Sequence, residues 1–166
     1  PGVIPGDSWA LDNNLTDLVF TSLSGSIDFD GFNLTGTSQN VAFVADSPTS
    51  DVNIGGSEPA SISLPTGNFE ASAGRDVNVS GASVQAKNVK IASGGDIRVK
   101  AGTRLAASDS ITLQAKKGVR ISNSSELRRL SHLDNPQLLI EAGTGSAEIV
   151  ECASLDADTV NMTSRQ

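Results

Sequence analysis

The feature that most constrains this chain is a strand pattern that returns about every 20 to 23 residues. A fixed period of this size dictates the architecture before any local propensity does. Between turn residues the chain reads as three recurring strand types, each with two inward apolar positions separated by one outward position. One type, called here the second face, appears as DLVFTS (Leu18, Phe20), NVAFVA (Val41, Phe43), NFEASA (Phe69, Ala71), NVKIAS (Val89, Ile91), SITLQA (Ile111, Leu113), QLLIEA (Leu138, Ile140) and TVNMTS (Val160, Met162). Its first anchors are separated by 23, 28, 20, 22, 27 and 22 residues, a short period with two insertions.

A third face follows the second in each repeat: SIDFD (Ile27, Phe29), DVNIGG (Val52, Ile54), DVNVSG (Val77, Val79), DIRVKA (Ile97, Val99), GVRISN (Val119, Ile121) and SAEIVE (Ala147, Ile149). A first face of smaller side-chain volume completes the turn: SWAL (Trp9, Leu11), FNLTG (Phe32, Leu34), SISLP (Ile62, Leu64), SVQA (Val84, Ala86), RLAA (Leu105, Ala107), ELRR (Leu127) and SLDA (Leu155, Ala157). Arg129 falls where Ala sits in other coils, which predicts a local bulge with Leu130 turning inward. Three short strands per turn predict an all-β right-handed parallel β-helix of about seven coils, spanning residues 1–166 as one domain. No coil can bury its apolar stripe alone, so such a stack is stable only as a stack. Seven coils at about 4.8 Å make a rod of about 34 Å with open edge strands, which reads as a segment of a longer or assembled shaft.

Turn chemistry agrees with the repeat. Asn40, Asn68 and Asn88 share the slot before the second-face strand, predicting an asparagine ladder at that corner. Asp51, Asp76 and Asp96 share the slot before the third-face strand, as expected of an Asx-type corner. The two long periods place loops at residues 47–61 and 130–136, the second holding the only histidine, His132. Pro48, Pro59, Pro65 and Pro136 fall at edges or loops, where a missing donor is tolerated.

Composition narrows the function classes. Five Phe, one Trp and no Tyr leave little for an aromatic core, so small aliphatics must stack instead. The lone Cys152 excludes an intrachain disulfide framework, and no Cys/His spacing predicts a metal site. No apolar run approaches the roughly 18 residues of a membrane helix, and PGVIPGDSW carries no basic-then-apolar leader. A membrane anchor is therefore expected only outside these residues.

The net charge of −7 is unevenly distributed: residues 1–74 are net −9, 75–129 net +7 and 130–166 net −5. The rod predicted from the repeat has acidic ends and a basic waist. Outward third-face residues run Asp28, Asn53, Asn78, Arg98, Arg120 and Glu148, without the clustered carboxylates a polysaccharide-cleaving site on this fold would need. No catalytic residue and no cofactor are predicted, and His132 alone makes no triad. Arg98, Lys100 and Arg120 are the candidate ligand residues: neighbouring cations on one wall suit an extended anionic polymer such as a sulfated glycan or lipopolysaccharide. The competing reading pairs these cations with acids of adjacent coils. Nucleic acid is not an expected partner, because the acidic flanks would repel it and no exposed aromatics offer stacking platforms. Asn-x-Ser/Thr sequons stand at Asn14, Asn33, Asn78, Asn123 and Asn161.

AGRDVNVSGASVQAKNVKIASGGDIRVKAG, Ala73 to Gly102, resembles the repeats of filamentous-haemagglutinin-type bacterial proteins, with the likeness extending over about residues 68–123. These are large secreted adhesins and contact-dependent toxin carriers with β-helical shafts. The resemblance implies a secreted or cell-surface, non-enzymatic structural module, engaging a cell-surface glycan or protein receptor. SITLQAKKGVRIS and SLDADTV are similar to strings of the sarcoglycans, whose ectodomains build a β-helical shaft with sister subunits. The trimeric spikes of phage tails share the V-x-V style and would make the chain one strand of a co-wound assembly. A polysaccharide-active enzyme is the remaining alternative on the same fold.

Overall fold

The computed structural model describes residues 8–100, 102–122, 125–129, 137–149, 154–156 and 159–164. Among these there is no helix, and every strand pairing is parallel. The chain winds as a β-solenoid, as the three-strand repeat predicts.

The third face is a six-stranded sheet made by β3 (Ile27–Phe29), β6 (Val52–Ile54), β8 (Val77–Val79), β10 (Ile97–Val99), β12 (Val119–Ile121) and β15 (Ala147–Ile149). The other two faces share an eleven-stranded sheet. It holds β1 (Ser8–Ala10), β2 (Asp17–Ser22), β4 (Asn33–Thr35), β5 (Asn40–Ala45), β13 (Glu126–Arg129), β14 (Gln137–Ala142), β16 (Ser154–Asp156) and β17 (Thr159–Ser164). In the middle coils β7 (Ala60–Ala73), β9 (Ala82–Ser93) and β11 (Arg104–Ala115) run unbroken through both faces. The first and second faces thus have seven rungs each and the third has six, so six full turns are followed by a partial seventh.

Registers confirm the inward columns. The second-face column runs Leu18, Val41, Phe69, Val89, Ile111, Leu138 and Val160, and the third-face column Ile27, Val52, Val77, Ile97, Val119 and Ala147. The first face needs one correction. Trp9 pairs with Leu34, and Leu34 with Ile62, so Leu34 rather than Phe32 is the equivalent of Trp9. Phe32 sits in the corner instead and packs 5.5 Å from the Phe29 ring. Pairing of β13 with β11 stays in register through Arg129, and Leu130, His132, Pro136, Asn123 and Cys152 lie outside the described residues. Register shifts occur where the first face turns into the second, between Leu64 and Asn68 and between Ala107 and Ser110, because these corners hold different numbers of residues.

The core is less uniform than composition suggests. All aromatic residues lie between Trp9 and Phe69, in the first three coils. They form one continuous cluster: Trp9 stacks on Phe20 and Phe32 at 6.4 and 6.1 Å, Phe20 meets Phe43 at 5.1 Å, and Phe43 meets Phe29 and Phe69 at 5.0 and 5.7 Å. Phe20 and Phe43 are directly paired across one coil step. In the next coil Ala71 pairs with Phe43, and the small side chain makes room for Phe69 to meet Phe43 edge-on. From Val77 onward the buried hydrophobic positions are all aliphatic. Each fully buried Val, Leu or Ile contributes about 1.5–3 kcal/mol, and stacking supplies the partner that no coil has alone.

Glycine acts at two corners for different reasons. Gly31, Gly55, Gly81 and Gly102 adopt φ of 73°, 66°, 61° and 76° where the third face turns into the first, a left-handed conformation other residues enter at a cost. At the second-to-third corner the reason is close approach: a Cβ on Gly94 would lie 2.1 Å from the Gly74 carbonyl oxygen of the preceding coil.

Candidate functional site

The second-to-third corner carries the densest polar chemistry. Asp51, Asp76 and Asp96 each follow a turn and precede a short third-face strand, so their carboxylates point along the stack. Asp51 Oδ1 accepts the Asp76 N–H at 3.0 Å, Asp76 Oδ1 the Asp96 N–H at 2.8 Å, and Asp96 Oδ1 the Gly118 N–H at 3.0 Å. Ser26 holds the same slot one coil earlier and accepts the Asp51 N–H at 3.0 Å. Each carboxylate therefore satisfies a backbone donor of the next coil, which is the structural role the shared slot predicts.

The second oxygen of each carboxylate faces a guanidinium. Arg75 grips Asp51 through Nε, at 2.7 Å from Oδ1, and through Nη2 on Oδ2. Arg98 reaches back along the corner, donating Nη1 to Asp76 Oδ2 at 2.7 Å and Nη2 to Asp96 Oδ2 at 2.6 Å. One arginine thus clamps two successive aspartates, and Arg75 carries the series one coil further.

The environment shifts the titration of these groups. The Arg75 hydrogen bond holds Asp51 below the usual carboxylate range, aided by the Asp76 N–H and outweighing burial. For Asp76 burial pushes upward, but the Asp96 N–H, the Arg98 hydrogen bond and the Arg98 charge together leave the group lowered. Hydrogen bonds to Asp51 and Asp76 raise Arg75 and Arg98. A carboxylate lowered in the folded state contributes stability that is complete above its unfolded pKa of about 3.9 and is lost as pH falls through the lower folded value. The midpoint of urea unfolding is therefore expected to stay level from neutral pH down to about pH 5 and to fall below about pH 4. Asp76→Asn should lower stability by about 1 kcal/mol at neutral pH, discounted for the half-open Arg98, and should make the acid fall shallower.

Two amide ladders run elsewhere on the rod, one at the first-to-second corner and one on the third face. Asn40 Nδ2 donates to Asp17 Oδ1, Asn68 Nδ2 to Asn40 Oδ1, and Asn88 Nδ2 to Asn68 Oδ1, each at 2.8 Å, and Ser110 Oγ donates to Asn88 Oδ1 at 2.7 Å. Every donor points toward the N-terminal coil, and the series ends on a carboxylate that can only accept. A second ladder on the outer third face joins Asn78 to Asn53 at 2.9 Å and Asn53 to Asp28 at 2.7 Å. Sequence reasoning placed these residues outward without linking them. The signal was present in the matching DVNI and DVNV strings, where Asn recurs at one slot. Arg75 was missed for a different reason: no other coil has an arginine in its slot.

The basic waist is largely occupied by its own acids. Arg98 and Arg120 are directly paired in register, as their spacing predicts. Arg98 turns to Asp76 and Asp96, while Arg120 lies 3.8 Å from Glu148 with both side chains more than half exposed. Lys90 meets Glu70 at 2.9 Å, Lys87 meets Asp109 at 3.5 Å, and Glu126 serves Arg104 at 3.6 Å and Arg128 at 3.5 Å. Lys100 borders an open pocket of about 470 Å³ over the short amide ladder, with Asp28, Asp30, Asn78 and Ser80. Asp30 there is held low by the Ser57 hydroxyl at 2.6 Å and the Glu58 N–H at 2.9 Å. A larger groove of about 950 Å³ follows the second-to-third corner, floored by Ser72, Gly74, Ala92 and Gly94 and bounded by Pro48, Lys116 and Glu141.

The Asp51, Asp76 and Asp96 carboxylates act as hydrogen-bond acceptors along the rod, while Asp28 and Asp30 share the pocket that Lys100 borders. Among the described residues no group of three or more His, Cys, Asp or Glu is placed to hold a metal ion. Of the sequons, Asn14 lies in an exposed turn and Asn161 on exposed β17, while the Asn78 amide is committed to its ladder. No family model, curated protein or solved structure matches this chain.

Proposed function

We propose that the chain is a non-enzymatic β-solenoid shaft, secreted or displayed at a cell surface, that spaces or presents other elements. The observation that carries this reading is the direction of its polar chemistry. Asp17–Asn40–Asn68–Asn88, Asp28–Asn53–Asn78 and Asp51–Asp76–Asp96 all spend their side chains binding one coil to the next. Side chains committed in this way stiffen a rod and are unavailable for moving protons on a substrate. A glycan or protein receptor, or sister chains of a shaft, would meet the outward faces. Of the three candidate cations, Lys100 is the one left for an anionic polymer, since Arg98 is clamped by two carboxylates and Arg120 lies 3.8 Å from Glu148.

The enzyme alternative is tested by incubating the chain with sulfated and uronic-acid polysaccharides and measuring reducing-end release. No release above buffer is expected. Turnover that disappears in Asp28→Asn or Arg98→Ala, both still folded, would replace the shaft by a polysaccharide-active enzyme.

A further inference from the structure

The outward side of the second face differs from the rest of the surface. Between the asparagine ladder and the second-to-third corner it presents two columns, one running from Val19 to Leu139 and the other from Thr21 to Glu141. Among the described residues this is the face that turns branched aliphatic side chains outward, at Val19, Val44 and Leu139, while the outward strand positions of the third face are polar or charged. It is also poor in charge: over six coils the two columns hold Glu70, Lys90 and Glu141, and the first two pair with each other at 2.9 Å. A flat sheet of mostly small side chains that leaves aliphatics in water marks a surface with a partner.

We infer that this face docks on the same face of a second copy, with the two rods antiparallel. Complementarity selects that occupant. A two-fold axis along the strands, midway between β7 and β9, sets β2 of one copy over β14 of the other, β5 over β11 and β7 over β9. Val19 then meets Leu139 of the second copy, Val44 lies over the stem of its Gln114, and Glu70 faces its Lys90. The two ion pairs become a square of alternating charge, in which every carboxylate has two ammonium neighbours. Rods laid in the same sense would put Glu70 over Glu70 and Lys90 over Lys90, which disfavours that arrangement. The same reversal lays the acidic residues 1–74 of each copy largely along the basic residues 75–129 of the other. Six coils of six-residue strands cover about 20 by 29 Å, so two sheets facing at about 10 Å bury about 1,100 Å² in total, near the low end of specific interfaces. The contact is isologous, so association closes at two copies. It lies on the flank of the rod, which further coils would extend rather than cover.

The central pair supplies variants that spare the core. Glu70 and Lys90 are outward and about half exposed, and an exposed pair of this kind contributes little to folding. Glu70→Lys and Lys90→Glu each leave four like charges at the junction of two identical copies. When one variant faces the other, two lysines oppose two glutamates and the attraction returns. Ser63→Lys, on the outward first face, is the control for added charge.

The experiment is sedimentation velocity of the 166-residue chain from low to high micromolar concentration, with circular dichroism and melting of each variant as folding controls. Wild type and Ser63→Lys are expected to show the same monomer–dimer equilibrium without larger species. Each folded reversal variant should weaken the dimer about tenfold, the equivalent of about 1.4 kcal/mol. An equimolar mixture of the two should recover it. If a reversal variant does not fold, Val44→Asp on the same face takes its place, with the same loss expected. A wild type that stays monomeric overturns the inference, as does growth past the dimer. A folded reversal variant that dimerises like wild type overturns it, because rods laid in the same sense already oppose like charges and would lose nothing. A mixture no better than its components, or a Ser63→Lys chain that loses the dimer, overturns it too. The inference goes beyond the shaft reading and fails separately from it: a monomer leaves that reading standing, and polysaccharide turnover would end it without touching the second face.

Discussion

Phe43→Ala is expected to lower stability by about 4 kcal/mol, among the largest losses available to a single substitution here. The ring is 1% exposed and is the hub of the aromatic cluster, touching Phe20, Phe29 and Phe69. Ala71 opposes it in the next coil, so no large side chain fills its place from that side. Because each coil contacts chiefly its neighbours, the loss should be local. Hydrogen exchange is expected to show amides of β2, β3, β5 and β7 losing protection while those of β9, β10 and β11 keep theirs. Uniform loss along the rod would mean that the stack unfolds as one unit, and that the aromatic end has no independent weight.

Gly94→Ala should cost about 2–3 kcal/mol, although only one methyl group is added to a surface corner. The new Cβ would lie 2.1 Å from the Gly74 carbonyl oxygen and 2.9 Å from its carbonyl carbon, both backbone atoms of the preceding coil. Relief requires the coils to part at a corner where Gly94 N–H bonds the Ala73 carbonyl at 2.9 Å. Gly81→Ala is the informative comparison. Nothing lies within 4 Å of its added Cβ, so only the φ of 61° opposes it, at about 1 kcal/mol. Thermal melts of the two variants should therefore rank Gly94→Ala well below Gly81→Ala. Equal melting points would show that backbone approach between coils is softer than the corner geometry implies.

Much of the wall was legible because its signal is periodic. Val77, Ile97 and Val119 repeat at nearly constant spacing, and each needs only burial on one side of a pleat to be placed. The Asp and Asn slots were legible for the same reason, since an identical corner asks for an identical partner. The first-face register failed at Phe32, where two apolar residues compete for one inward slot. Pattern alone cannot choose between Phe32 and Leu34, and only the packing of Phe32 on Phe29 decides it. The candidate site was harder to read. Arg98, Lys100 and Arg120 look alike as outward cations, yet Arg98 is bound by two aspartates, Arg120 stands loosely by Glu148, and Lys100 borders a pocket.

By itself the sequence determined the architecture: three inward columns of alternating apolar residues, stacked by a period close to 21, and corners punctuated by Asp, Asn and Gly. That information is local and repeated, and a repeated local rule adds up to a rod. The tertiary structure alone decided which charges cancel, which amides join into ladders, and which apolar residues remain uncovered. Those properties depend on neighbours some 20 to 28 residues away, whose identity changes from coil to coil, so no single repeat contains them. Coulombic pairing and burial act through space, and the solenoid brings that space into being only when the coils are stacked.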